Sequence, residues 1–144
     1  MKLTIATPER KTYDGEIDQI TIPTPDGQIT VLPGHTSLVT KLKPGELILK
    51  EGNKEVNLAV GYGFAQINGR EVSVLTDLAE EVAEISEKEA EDARARAEDA
   101  LKEKGRLSSE EYAAVAASLE KSLARLRVKR RHYPKTTPKP ETST

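Results

Sequence analysis

The sequence predicts a β + α chain. An N-terminal antiparallel β-sandwich over residues 1–84 is followed by a C-terminal antiparallel two-helix hairpin over residues 85–133. Three observations carry this. Composition changes near Ile85: every Gly except Gly105 lies before it, with most β-branched residues, and Ala, Glu, Lys, Arg and Leu dominate after it. The first part is cut by turn formers into short runs with period-two alternation. The second part repeats apolar residues at helical spacing behind two N-cap signals. Strands first and helices second argue for two packed units, not an interleaved α/β domain.

Ile17, Ile20 and Ile22 mark a strand ending before Pro23, and Asp26-Gly27 reads as a turn, since Gly accepts φ > 0. Ile29 to Leu32 reads as a strand stopped by Pro33-Gly34. Leu47 to Lys50 and Glu55 to Val60 flank a hairpin turn at Gly52-Asn53. Val56, Leu58 and Val60 alternate with polar or small residues, as in a half-buried strand. Tyr62 to Ile67 and Glu71 to Thr76 flank Asn68-Gly69, which fits a type I′ turn. The expected core is aliphatic, with Phe64 and Tyr62 as its larger fillers.

In the second unit, Ser86 with Glu89 reads as a capping box, followed by Ala90, Ala93, Ala97, Ala100 and Leu101. Gly105 is placed to end that helix in a left-handed conformation. Ser108 with Glu111 makes a second box, followed by Tyr112, Val115, Leu119, Leu123 and Leu126. Pro134 stops the run, and residues 134–144 carry no apolar anchor and are expected to be disordered. A connection of about four residues makes the helices antiparallel. With positions summing to roughly 212 opposite each other, Glu84, Glu87 and Glu91 are expected beside Lys121, Arg125 and Arg127.

Composition narrows the chemistry. Among 144 residues the net charge is −2, which argues against nucleic-acid binding by bulk electrostatics. The absence of Cys excludes disulfides, thiolate nucleophiles and zinc-thiolate sites. No apolar run approaches the ~20 residues that span a bilayer, and the N-terminus lacks a signal-type apolar region. The expectation is a soluble protein that meets a membrane only through a partner. The two histidines, His35 and His132, form no catalytic or metal-ligating constellation with neighbouring sequence, so the chain is expected to be non-catalytic with no metal and no cofactor. Gly61-Tyr62-Gly63-Phe64 lacks the strand-to-helix context of a phosphate loop and reads as strand or bulge.

Three features stay open on residue chemistry alone. His35 reads as a partly buried, hydrogen-bonded structural residue or as part of an interface. The Asp26-Gly27-Gln28 turn reads as hairpin punctuation or as a contact loop. The basic run Arg125, Arg127, Lys129, Arg130, Arg131 reads as a solvated face that complements the negative helix end, or as a docking surface.

Asp26 to Val39, closed by Leu42-Lys43-Pro44-Gly45-Glu46-Leu47, closely resembles G-x-(I/L)-x-(V/I)-L-P-x-H-x-P-L-x-x-x-L-x-x-G of the epsilon subunit of F-type ATP synthases. Ser37 stands where that family usually has Pro. Val72 to Glu80 resembles V-x-V-L-A-D-x-A-E, Gly61 to Phe64 resembles G-G-F, and Leu126-Arg127-Val128 matches the closing L-R-V. The resemblance spans roughly residues 1–130 and implies the same sandwich-plus-hairpin fold.

It also implies a non-catalytic central-stalk subunit of the bacterial type. Its partners would be the gamma subunit, the c-ring, and the alpha and beta subunits of the F1 head, with no nucleic acid. The location implied is peripheral, on the cytoplasmic side of the inner membrane, with the chloroplast thylakoid as the other possibility. By resemblance, Asp26, Gln28 and His35 lie at the gamma or c-ring interface. Arg125, Arg127, Lys129, Arg130 and Arg131 would meet an acidic stretch of the beta subunit and inhibit ATP hydrolysis. Some relatives bind ATP between the helices through I/L-D-x-x-R-A. Here Ser86 replaces the Asp and Glu89 the Arg, so ATP binding in a groove of Arg96, Lys121 and Arg125 is expected to be weak at best. The rival reading is a free-standing sandwich whose basic helix recruits nucleic acid or an acidic protein.

Overall fold

The computed structural model describes residues 1–103 and 105–133. The expected disordered tail lies outside the described residues. Ten strands form two five-stranded sheets. They are β1 (Lys2–Ala6), β2 (Lys11–Glu16), β3 (Gln19–Thr24), β4 (Gly27–Val31), β5 (Leu38–Leu42), β6 (Gly45–Glu51), β7 (Lys54–Val60), β8 (Gly63–Asn68), β9 (Glu71–Thr76) and β10 (Ala79–Glu81). One sheet runs β2-β1-β9-β8-β5 and the other β10-β7-β6-β3-β4. A 3-10 turn (Val82–Glu84) leads into helices α1 (Glu87–Lys102) and α2 (Ser109–His132). The sandwich-plus-hairpin expectation holds.

The sandwich core is aliphatic. Leu3, Ile5, Ile20, Ile22, Leu47, Leu49, Leu58, Ile67, Val72 and Val74 are buried, and no aromatic ring is among the buried residues. Phe64 and Tyr62 are therefore not core fillers, being 54% and 39% exposed. Period two decides this: Ala65 and Ile67 of β8 point inward, which sends Phe64 outward.

Other details depart from the expectations. β1 pairs parallel with β9, the one parallel ladder among the described residues of an otherwise antiparallel sandwich. A parallel neighbour needs a long crossover, and all the chain between β1 and β9 supplies it. β1, β2, β5 and β10 are additional to the strands expected above, although Leu3 and Ile5 of β1 alternate with polar residues and are buried. Pro23 lies inside β3, where its missing N–H costs little because pairing with β6 stops at Thr21. The β3–β4 turn is Pro25-Asp26, followed by Gly27 at φ 114°.

The β6–β7 hairpin turns at Gly52-Asn53, as expected, with Gly52 at φ 62°. The β8–β9 hairpin exists, but Asn68 pairs with Glu71, so the loop is Gly69-Arg70 and not a type I′ turn. Asn68 instead accepts from the Arg70 and Glu71 N–H groups through its side-chain oxygen. A local side-chain bond has displaced the turn by one residue.

Among the helices, Ser86 caps α1 by accepting from the Glu89 N–H, but the reciprocal bond of a full box forms only at Ser108/Glu111. Gly105 is left-handed at φ 91°, two residues beyond the Glu103 C-cap. α1 and α2 pack antiparallel, and α2 lies on β6 and β7. Its buried residues are Ser122, Ala124, Leu126 and Val128, whereas Tyr112 is 52% exposed. Of the apolar face anticipated from Tyr112 through Leu126, Val115, Leu123 and Leu126 line grooves shared with α1, while Tyr112 stands exposed. The second half of α2 is covered on two sides, by α1 and by the sheet.

Candidate functional site: the docked basic helix

The site is the outer face of the β10-β7-β6-β3-β4 sheet beneath the C-terminal half of α2. Register places Glu80 of β10 opposite Ala59 of β7, and Ala59 opposite Glu46 of β6. These three residues form one row across three strands, all pointing away from the sandwich core. Ala59 is fully buried and joins Val82, Ile85 and Val128 in a small apolar cluster separate from the main core. An acid stands on each side of that cluster. Strands are spaced about 4.8 Å apart, so the two acids are two spacings, roughly 10 Å, from each other.

α2 matches that interval. A rise of ~1.5 Å per residue puts a residue and the one seven positions on about 10 Å apart on one face. Arg125 donates through Nε to Glu80 Oε1 at 2.8 Å and through Nη2 to Oε2 at 3.3 Å. Seven residues later, His132 donates through Nε2 to Glu46 Oε2 at 2.6 Å. Arg131 donates to the other oxygen, Oε1, at 2.7 Å. Val128, between them, packs on Ala59. Two charged clamps flank one apolar contact.

Glu46 is the most enclosed of these acids, its side chain 4% exposed, and Asn57 adds a third donor at 2.8 Å. Burial pushes its carboxyl up. The hydrogen bonds from His132, Asn57 and Arg131, with the charge of His132, outweigh burial and hold it below the usual carboxylate range.

The rest of the basic run is engaged as well. Lys129 donates to the Val82 carbonyl at 3.0 Å and lies 4.2 Å from the Tyr133 ring centre. Arg130 reaches back to α1, at 2.9 Å from Glu87 and in contact with Glu91. Arg127 reaches the Pro44 carbonyl at 3.5 Å. At the middle of α2, Lys121 pairs with Asp77 at 3.1 Å. The cross-helix pairing expected at a sum of about 212 therefore needs correction. Glu87 and Glu91 meet Arg130, while Lys121 and Arg125 turn to the sandwich. Glu84 appears in no ion pair among the described residues.

The interface residues expected near the stalk fall in two places. Asp26 is exposed on the β3–β4 turn, its N–H donating to Thr24 Oγ1 at 3.2 Å. Gln28 lines a cleft of about 330 Å³ with Lys43, Arg127 and Arg131, beside the end of α2. His35 stands beyond the other end of β4, partly buried, its Nδ1 2.7 Å from the Thr36 carbonyl. It is hydrogen-bonded as its structural reading requires. Arg96 lines a groove with Ala97 and Ser118. Lys121 and Arg125 are committed to Asp77 and Glu80, so these three cations do not converge on one pocket.

The Gly61-Tyr62-Gly63-Phe64 motif has a structural explanation. A Cβ on Gly61 would overlap the Asp77 carboxylate, and one on Gly63 would overlap the Leu75 carbonyl. Asp77 Oδ1 also accepts from the Tyr62 N–H at 2.9 Å. The motif seats the residue that holds Lys121.

Residues 1–82 match the family description "ATP synthase, Delta/Epsilon chain, beta-sandwich domain". The chain belongs to this ATP synthase family. Relatives extend the likeness through the helices. A Geobacter sulfurreducens protein named ATP synthase epsilon chain is 38% identical over 130 residues, covering 89% of this chain and 92% of the relative. A Dehalococcoides mccartyi protein of the same name is 38% identical over 139 residues, covering 93% and 96%. Among solved structures, the Euglena gracilis mitochondrial ATP synthase (OSCP/F1/c-ring) contains a chain superposing with a TM-score of 0.69 at 25% identity. That match covers 85% of this chain and 76% of the other. A Tetrahymena thermophila central stalk/c-ring chain shares the fold, with a TM-score of 0.57 at 14% identity.

Within this epsilon-type chain, sequence reading singled out the cations and missed their acceptors, Glu46, Glu80 and Asp77. One signal was available. Glu46 interrupts the run Gly45-Glu46-Leu47-Ile48-Leu49, where an acid among apolar residues marks a paired carboxylate; Glu80, in Ala79-Glu80-Glu81, carries no such mark.

Proposed function

We propose that this chain is the central-stalk epsilon subunit of an F-type ATP synthase, non-catalytic itself, that couples c-ring rotation to the catalytic head. Its hairpin restrains ATP hydrolysis. The docked α2 carries the regulatory half of this reading. The same cations that would reach an acidic surface of the beta subunit are held by Glu46, Glu80 and Glu87 in this arrangement. A helix secured by a few ion pairs and one small apolar cluster is close in free energy to a released helix. The 85–133 unit is thus a movable brake, and residues 1–84 are the fixed clamp. The main core cluster lies wholly between Leu3 and Ala79, which supports that division.

The stalk half of the reading rests on the other sheet. α2 covers the β10-β7-β6-β3-β4 sheet, while the outer face of β5-β8-β9 presents Val39, Phe64 and Leu75 at 66%, 54% and 60% exposure. Phe64 and Leu75 are direct cross-strand partners. Lys41 is the β5 partner of Phe64, with Val39 two residues along on the same face, and an exposed patch of this kind is a surface the gamma subunit would cover. The exposed Asp26 and Gln28 turn is the candidate c-ring contact, and His35 a candidate gamma contact. Among the described residues no helix is long and apolar enough to cross a membrane. Attachment at the cytoplasmic side of the bacterial inner membrane would come through the c-ring and gamma. No nucleotide role is assigned to Arg96, Lys121 and Arg125.

Size-exclusion chromatography of the full chain with an alpha, beta and gamma complex tests this. Stoichiometric co-elution is expected, and Phe64→Ser with Leu75→Ser should abolish it. Separate elution of the unmodified chain, together with salt-sensitive capture of random DNA, would favour the rival interaction-module reading.

A further inference from the structure

Asp77 belongs to two surfaces at once. We propose that the apolar cleft beside it takes an apolar side chain of the gamma subunit, and that filling the cleft strengthens the Asp77–Lys121 pair and so favours the docked α2. This deepens the stalk reading and rests on it, and on the hairpin as a two-state element.

The cleft, of about 370 Å³, is lined by Ala6, Pro8, Tyr62, Leu75, Thr76 and Asp77. Ala6 and Leu75 are direct partners in the β1–β9 ladder, so they share a face. Leu75 also stands beside Phe64 in the exposed patch, so a partner that covers the patch reaches the cleft. The polar groups at the cleft are already engaged. The Thr76 hydroxyl lies 3.2 Å from the Gly61 N–H and 3.0 Å from the Tyr62 carbonyl. Both Asp77 oxygens have donors. What the cleft has left to offer is apolar contact.

Asp77 is fixed from the sandwich side. Its N–H donates to the Tyr62 carbonyl at 3.0 Å, and its Oδ1 accepts from the Tyr62 N–H at 2.9 Å. Its Oδ2 accepts from Lys121 Nζ at 3.1 Å. One carboxylate thus lines the cleft and holds the middle of α2. The pair is half wet, the Asp77 side chain being 41% and that of Lys121 30% exposed. When α2 leaves with the cleft open, water replaces Lys121 at the carboxylate. An apolar group in the cleft shuts out part of that water. Departure of Lys121 then leaves a partly buried charge with one N–H donor, which costs more than leaving it in water. Partner seating and helix docking therefore favour each other, by the same factor in each direction.

The test uses the full chain, which contains no cysteine. Asn53→Cys on the β6–β7 turn and Ala113→Cys on α2, both at exposed positions, carry one pair of spin labels. Their separation across a urea titration reads hairpin release, while circular dichroism of the strands reads the sandwich. Ala6→Leu fills the cleft from within. It should raise the docked-to-released ratio about fivefold, the lower end of couplings between sites. In a Lys121→Gln background it should change nothing. The gamma subunit alone, which offers the hairpin no beta surface, should shift the labels in the same direction. It should bind Lys121→Gln about fivefold more weakly than the unmodified chain.

No effect of Ala6→Leu, or an equal effect in both backgrounds, would overturn the coupling, as would a bound gamma subunit that leaves the hairpin unchanged or releases it. Self-association of the chain that Ala6→Leu abolishes would put a second copy in the cleft and overturn the gamma occupant. A gamma subunit that does not bind the unmodified chain would instead remove the stalk reading beneath.

Discussion

The Arg125–Glu80 pair allows a quantitative test of how α2 is held. Glu80→Gln keeps shape and removes charge, leaving Arg125 beside a neutral amide. Arg125 is 12% and Glu80 25% exposed at the side chain, so the pair is neither open to water nor fully dry. Exposed pairs contribute about 0–1 kcal/mol, and hydrogen bonds to charged groups in mutational series about 1.5–3 kcal/mol. The nearest substitute acid, Glu89, is 3.9 Å from Arg125 and 70% exposed, so it offsets little. A cost of about 1–2 kcal/mol follows, a factor of roughly 5–30 in the docked-to-released ratio. The assay is a double-mutant cycle of Glu80→Gln and Arg125→Gln, read by labels on the sandwich and α2 across a urea titration. A coupling energy near 1 kcal/mol or above is expected. Coupling below about 0.3 kcal/mol, the usual scatter of additivity, would refute the idea that this pair clamps the helix.

Gly63→Ala should destabilise the sandwich by more than about 2 kcal/mol, because the new Cβ meets the Leu75 backbone and not a flexible side chain; thermal melting of the strands checks it. Glu87→Gln with Glu91→Gln removes both partners of Arg130 on the hairpin surface. It should loosen α1 from α2 by no more than about 1 kcal/mol, with the effect fading in high salt; amide exchange of α1 at two salt concentrations reads it. Glu46 adds an acid limb to docking. Its carboxyl is held below the ordinary range, so its contribution is complete above that range and is lost as pH falls through the lowered value. Docking should therefore weaken only as pH falls below the ordinary carboxylate range, with that limb missing in Glu46→Gln.

The fold was legible because both periodicities are strong. Ile20, Ile22, Leu47, Leu49, Val72 and Val74 alternate and are buried, and Ser108 with Glu111 forms the box that its spacing announces. What escaped depended on tertiary contact. Phe64 looked like core by size, yet its parity on β8 sends it outward, and parity is not fixed until the flanking turns are known. The β8–β9 turn moved by one residue through a side-chain bond of Asn68 that composition does not reveal. β2 and β10 are polar or three-residue edge strands with weak patterns, and β1 alternates but over only five residues.

At the site, the cations were visible as a run and their acceptors were not. Glu80 looks like a solvent-facing acid until register places it, with Glu46, beside Ala59, and only a helix crossing the strands makes that row a receptor. The expected helix-to-helix register failed for a related reason. Lys121 and Arg125 had a sandwich partner nearer than any acid on α1.

The most direct measurement compares ATP hydrolysis by one reconstituted alpha, beta and gamma complex carrying either the full chain or a chain ended after Ile85. Both should bind, since the open apolar face of β5-β8-β9 belongs to the sandwich. Hydrolysis should be several-fold lower with the full chain. Equal rates at full occupancy would contradict a braking role for the hairpin, and failure of either chain to bind would contradict the stalk assignment itself.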